Sequence, residues 1–169
     1  MENTPRLIDH VAVLVDDLEE SIGKWSAMLG YTFGPITRYR TSSWVDSSQS
    51  DAHFHDARVA FSKEGPPRIE LMEVTGEGTH SLRERGFHHL GFVRVERVDE
   101  LKKAFESTGV TTDGAALDES GRAILWFTDK NELDGIRLEF VGTDRQPIVL
   151  DDGREIPRDE NGRLDFSRL

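Results

Sequence analysis

The chain has 169 residues, 36% of them hydrophobic and 31% charged, with a formal net charge of -11 and no cysteine. That length suits one domain, or two small halves sharing a core. The missing cysteine excludes disulfides, thiolate metal sites and thiol nucleophiles. The acidic balance, with no basic stripe, argues against a nucleic-acid partner. No apolar run approaches the roughly 20 residues that span a bilayer, and the first nine residues lack a signal peptide's basic start and apolar core. A cytoplasmic protein with no membrane partner is the expectation.

Leu7 to Val15 is apolar and β-branched and reads as a central strand, with His10, Ala12 and Leu14 on one face. Asp16 or Asp17 caps a helix in which Leu18, Ile22, Trp25, Met28 and Leu29 form the apolar stripe, and Gly30 stops it. Tyr31 to Arg40 reads as a second strand, interrupted by Gly34-Pro35. Thr41 to Asp56 shows no apolar period and is expected to be an inserted loop carrying Trp44, His53, Phe54 and His55. Ala57–Ser62 and Arg68–Val74 read as two strands, and Thr75–Gly86 as a glycine-bearing link.

The order then repeats. Phe87–Val95 reads as a strand, and Val98–Ser107 as a helix with Val98, Leu101, Ala104 and Phe105 inward, stopped by Gly109. Strands follow near Ala115–Leu117, Ala123–Thr128 and Gly135–Val141. His10 and His89 stand 79 residues apart, and the same offset carries Gly30 onto Gly109. Each half closes on a strand with a glutamate among apolar residues, Glu70 and Glu139. Past Val141 the pattern fails: residues 142–169 are charged, with Ile148-Val149-Leu150 the apolar cluster, and read as an extension over the domain or a partner subunit.

Taken alone, His10 reads first as a hydrogen-bonded core histidine. Its repetition as His89, with Glu70 and Glu139 as companions, turns the reading toward a metal site of imidazole and carboxylate. An unpaired carboxylate is costly to bury, so the bland alternative for each glutamate is an ion pair with Arg68 or Arg137. His88 is expected on the other face of its strand, as packing. Glu73, out of phase with Glu70, is expected in solvent.

A strand, a helix and three strands, written twice with a histidine on each first strand and a glutamate on each last, resembles the vicinal oxygen chelate superfamily. Ile69-Glu70-Leu71-Met72-Glu73 followed by Arg85-Gly86-Phe87-His88-His89-Leu90-Gly91-Phe92 is most similar to its methylmalonyl-CoA epimerase and glyoxalase branch. The resemblance implies an α+β fold of two tandem βαβββ modules, about 7–74 and 87–141, whose mixed sheet curls around a central metal. The domain then covers 1–141 and the extension 142–169. His10, Glu70, His89 and Glu139 would hold one divalent ion per chain, be it zinc, iron, manganese, cobalt or nickel, in a homodimer.

The expected activity is that of an isomerase, epimerase or lyase working beside a carbonyl, on a small molecule with a carbonyl or vicinal oxygens. The branch's catalytic glutamate has no counterpart near Asp51–Asp56. His53 or His55, with a histidine's pKa near neutrality, is a candidate base, and the two read equally as solvated loop residues; the resemblance to glyoxalase-like chemistry, where a metal-bound glutamate shuttles the proton, would instead cast Glu70 or Glu139. Two other functions compete. An extradiol dioxygenase would use His10, His89 and Glu139, and a sequestering protein would use Trp44, Phe54, Trp126 and Phe127 as an apolar wall.

Overall fold

The computed structural model describes residues 5–76, 78–143, 148–162 and 164–169. Its elements run β1 (His10–Val15), α1 (Leu18–Leu29), β2 (Thr37–Asp46), β3 (Gln49–Phe61) and β4 (Arg68–Glu73), then β5 (Gly86–Val95), α2 (Val98–Glu106), β6 (Thr112–Leu117), β7 (Ala123–Thr128) and β8 (Arg137–Gly142), with a short β9 (Ile148–Val149). The strands lie in the order β3-β4-β1-β5-β8-β7-β6-β2-β9, and β2 also pairs with β3. That last pairing closes the mixed sheet into a barrel. β1 lies parallel to β4 and β5 parallel to β8, while β1 and β5 run antiparallel side by side.

Local chemistry explains the helix ends. The Asp17 carboxylate accepts from the Glu20 N–H at the start of α1, and Gly30, at φ 75°, ends it with its own N–H on the Ser26 carbonyl. Leu18 is buried, and Ile22 and Trp25 pack with it on Val15, Ala60, Ile69 and Leu71. Met28 and Leu29, expected on that stripe, are 80% and 62% exposed in the last turn. Ala104 of α2 is likewise exposed. Phe105 keeps one face on the Trp126 and Phe140 rings.

The expected second strand and inserted loop are replaced by a long β2–β3 hairpin, turning at Ser47-Ser48. Period two is present there, but the buried positions are Thr37, Thr41, Trp44 and His55 as well as Ala57 and Val59. The inward face is half polar, with Tyr39 and His55 on a cavity and the Thr37 hydroxyl on the Val59 carbonyl, so a search for apolar alternation passes over it. Glu73 is not solvated either: it accepts from Arg58 and from the Leu18 N–H.

Two apolar clusters fill the barrel. One joins Trp44, Ala116, Ile124, Leu125, Phe127 and Val141. The other joins Ala12, Leu14, Ala57, Val59, Phe61 and Met72, and its remaining buried members, Ile156 and Leu164, come from beyond β9. Among the described residues no helix is long and apolar enough to cross a membrane.

Candidate metal centre

The four neighbouring strands β4, β1, β5 and β8 bring Glu70, His10, His89 and Glu139 together at one point, all at most 7% exposed. His10 Nε2 lies 3.2 Å from His89 Nε2 and 3.0 Å from Glu139 Oε2. His89 Nε2 lies 3.4 Å from the same oxygen. Glu70 Oε2 sits 3.3 Å from His10 Nε2 and 3.4 Å from His89 Nε2. It is buried yet makes no hydrogen bond.

Gly91 makes the close approach possible. It stands opposite His10 in the β1–β5 register, and a Cβ there would overlap the His10 imidazole.

Hydrogen bonds on the far side of each ring set its orientation. His10 Nδ1 lies 3.1 Å from Asp9 Oδ1 and donates to it, which leaves Nε2 pointing inward. For His89 the partner is another histidine: the two Nδ1 atoms of His88 and His89 are 2.8 Å apart, and His88 Nε2 is 2.7 Å from the Thr79 carbonyl. A carbonyl only accepts, so His88 carries its proton on Nε2. Its Nδ1 must then accept from His89 Nδ1–H, and the lone pair of neutral His89 falls on Nε2. His88 is therefore not packing on the opposite face. The register slips beside it, with Ala12 opposite His89 and Val13 opposite Phe87, and this bulge turns both histidines inward.

Electrostatics follow from the crowding. Burial disfavours a charged His10, but Glu70, Asp9 and Glu139 together outweigh it and raise its pKa to about 10. His89 is raised in the same way, burial being overcome by Glu139 and Glu70. Burial works against the Glu139 carboxylate, yet His89 and His10 hold it well below the usual range. Arg137, the bland partner for Glu139, is engaged elsewhere, with Asp113 and Glu84.

These residues fit a divalent cation. Ligand atoms about 2.1 Å from an ion are separated by about 3.0 Å in an octahedral and about 3.4 Å in a tetrahedral arrangement, the range spanned here. One nitrogen each from His10 and His89 and one oxygen from Glu139 lie within 4.8 Å of one another. An ion would also draw on the buried Glu70 oxygen, which faces both imidazoles without a hydrogen bond.

The centre opens into a cavity of about 80 Å³ lined on its other side by Tyr39, Trp44, His55, His80 and Phe127. Burial keeps His55 neutral, at a pKa of about 4, and holds His80 and His88 well below the ordinary histidine value. The rings form a ladder, Trp44 on His55 at 4.7 Å, His55 on His80 at 4.6 Å and His80 on His88 at 5.1 Å. Tyr39 Oη, His55 Nε2 and His80 Nδ1 are buried without hydrogen-bond partners.

His53 is not brought to this cavity. Two residues nearer the hairpin tip, it lies in a separate depression with Asp46, Ser48 and Phe54. Of the expected apolar wall, Trp44 and Phe127 line the cavity. Phe54 is 65% exposed, and Trp126, alternating with Phe127, packs with the α2 cluster on Ala115 and Phe140. Sequence reasoning missed Tyr39 and His80; His80 sits in a short 3-10 turn (Gly78–His80) where no periodicity marks it.

A curled mixed sheet with a histidine-glutamate cluster at its centre defines the class of glyoxalase-like proteins. The sequence model of the Glyoxalase/Bleomycin resistance protein/Dioxygenase superfamily matches residues 9–115, and the chain belongs to that superfamily. No curated protein matches the chain in sequence.

Solved structures share the fold. A hypothetical protein from Bacillus halodurans C-125 is 19% identical with a TM-score of 0.57, covering 85% of this chain and 98% of its own. A variant of Streptomyces coelicolor methylmalonyl-CoA epimerase, in complex with 2-nitronate-propionyl-CoA, is 18% identical at a TM-score of 0.55, covering 83% and 99%. The methylmalonyl-CoA epimerase from Mycobacterium tuberculosis is 20% identical at 0.51, covering 84% and 92%.

Proposed function

We propose that the chain is a divalent-metal-dependent isomerase, epimerase or lyase acting at a carbon next to a carbonyl. The observation that carries this reading is the convergence of His10, His89 and Glu139 around one point, with a buried Glu70 oxygen 3.3–3.4 Å from both imidazoles beside it. Solved epimerases of the same fold add support for the class. The reading includes duplication of one βαβββ unit, about residues 7–74 and 87–141, and does not carry over a coenzyme A substrate.

A bound divalent ion would polarise a substrate oxygen and offset the negative charge that builds on it as the neighbouring C–H bond breaks. The chain's residues do the rest. Asp9 and His88 hold the two imidazoles with Nε2 inward. Glu139, kept ionised by His89 and His10, is the fixed carboxylate.

Glu70 is assigned as the base: its carboxylate accepts the proton from carbon while the C–H electron pair moves toward the carbonyl. A proton delivered to the opposite face by a second donor, such as a water, epimerises the carbon, while Glu70 returning its proton to a neighbouring atom isomerises the substrate. Departure of a β-substituent instead makes the step a lyase reaction. His55 is a poorer base, because a pKa of about 4 lies far from neutral operating pH. It serves as wall.

The test is proton exchange. Zinc-, cobalt- or manganese-loaded protein is incubated in deuterium oxide with a panel of 2-methyl-1,3-dicarbonyl acids and α-hydroxyketones, and loss of the α-proton signal is followed by NMR. Exchange is expected for the wild type, with a fall of about 10²–10⁴-fold in Glu70→Gln. No exchange with any metal and any compound would overturn the proposal.

A further inference from the structure

The described residues after β9 bring Ile156 and Leu164 into the barrel's apolar core. β2 gives one edge to β3 and the other to two partners: its Trp44–Asp46 end pairs with β6, and its Arg38–Tyr39 stretch pairs with β9. The tail thus takes the length of β2 that β6 leaves uncovered. An Arg38–Asp151 ion pair of 2.7 Å flanks the join.

Beyond β9 the chain folds back on itself. The Ile156 N–H donates to the Ile148 carbonyl, and the Asp165 N–H to that of Pro157. This brings Ile156 and Leu164, 1% and 8% exposed, onto Ala12, Leu14, Ala57, Val59, Phe61 and Met72. Those six residues share the inner face that also carries His10, His55 and Glu70.

The docking is built on both sides. Phe166 lies against Gly34, where a Cβ would sit 2.8–2.9 Å from three carbons of its ring. The backbone there needs no left-handed conformation, so the glycine makes room for the ring. Ile148, Arg158, Gly162 and Leu164 then stand in the wall of the metal cavity itself.

We infer that the C-terminal segment, residues 148–162 with 164–166, is the wall that sets substrate size: it restricts the metal cavity to compact molecules with adjacent oxygens and excludes those carrying an extended chain. The inference rests on the metal site proposed above. Without this wall, the face bearing Ala57, Val59, Phe61 and Met72 would form an open apolar groove leading from the ligands. With it, about 80 Å³ remains, several times the roughly 10–15 Å³ that one water requires and below the roughly 300–1,000 Å³ of ordinary ligand pockets.

Two chelators with the same head separate the possibilities: acetohydroxamate and octanohydroxamate, titrated into full-length cobalt-loaded protein and followed by the cobalt absorption bands. The wild type is expected to favour the short probe. Gly34→Val and Phe166→Ala, made separately, are expected to gain about tenfold or more for the long probe, the scale on which apolar pockets discriminate by size, with the short one unchanged within about twofold. Wild-type preference retained in both variants would overturn the inference, as would wild-type protein binding the long probe as tightly as they do.

A second measurement needs no metal: fluorescence of 1-anilinonaphthalene-8-sulfonate with the metal-free proteins, circular dichroism confirming that they are folded. Enhanced dye binding in both variants is the expected result, and its absence contradicts the wall. Failure of wild-type protein to take up cobalt contradicts the metal site instead, and leaves the dye to decide the role of the tail.

Discussion

Loading the site with metal should expel protons. With no ion bound, the carboxylates around His10 raise its pKa to about 10, so the ring is an imidazolium at neutral pH. A metal ligand must be neutral, so the ion has to displace that proton. At about pH 7.5 the ring lies about 2.5 units below its pKa, which weakens the apparent affinity roughly 300-fold relative to the deprotonated site. Affinity should therefore climb about one decade per pH unit between about pH 6 and 8.5. It climbs more steeply wherever His89, whose pKa is also raised, still carries a proton to release. Calorimetric titration of zinc against a competing chelator, in buffers of different ionisation enthalpy, reads both slope and proton count. A flat profile with no proton released would refute the reasoning, because neutral imidazoles would then already be waiting for the ion.

Three further outcomes follow from single contacts. Gly91→Ala places a methyl group on the His10 ring. It should lower metal affinity by about 10–100-fold, on the scale of lost ligand support, while leaving a folded barrel by circular dichroism. His88→Phe removes the acceptor for His89 Nδ1–H and should cost a similar factor; nitrogen NMR shifts should then show that His89 has lost its single tautomer.

His55 gives a stability test in acid. Unfolded, it takes up a proton below about pH 6.5; folded, it resists until about pH 4. Its contribution is therefore complete above pH 6.5, declines as pH falls, and amounts to about 3 kcal/mol lost by pH 4. Urea titrations of the metal-free protein between about pH 6.5 and 5 should show stability falling, and less steeply in His55→Phe. Equal slopes would remove His55 as the cause.

The fold was legible where one side of a strand is apolar. The strands around His10 and His89, and Ala123–Thr128, show in the sequence because Val, Ile, Leu and Phe face packed layers. The hairpin of β2 and β3 was not, since Thr37 and Thr41 are buried with their hydroxyls on backbone groups and His55 faces a cavity, so its inward positions are not all apolar. The four central side chains could be named from a repeat and a resemblance. What surrounds them could not. His88 owes its inward position to a bulge that residue counting does not reveal. His80 sits in a turn, and Leu164 and Phe166 reach their places through a tail with no periodicity of its own.

The most direct test of the account is metal content. Wild-type protein, His10→Ala and His89→Ala are prepared without chelators, incubated with zinc, cobalt, manganese or ferrous iron, desalted and measured by elemental analysis, with circular dichroism as a folding control. The account predicts about one ion per chain in the wild type and loss of that ion in both folded variants. Equal metal in all three proteins, or none in the wild type with any of the four ions, would contradict it.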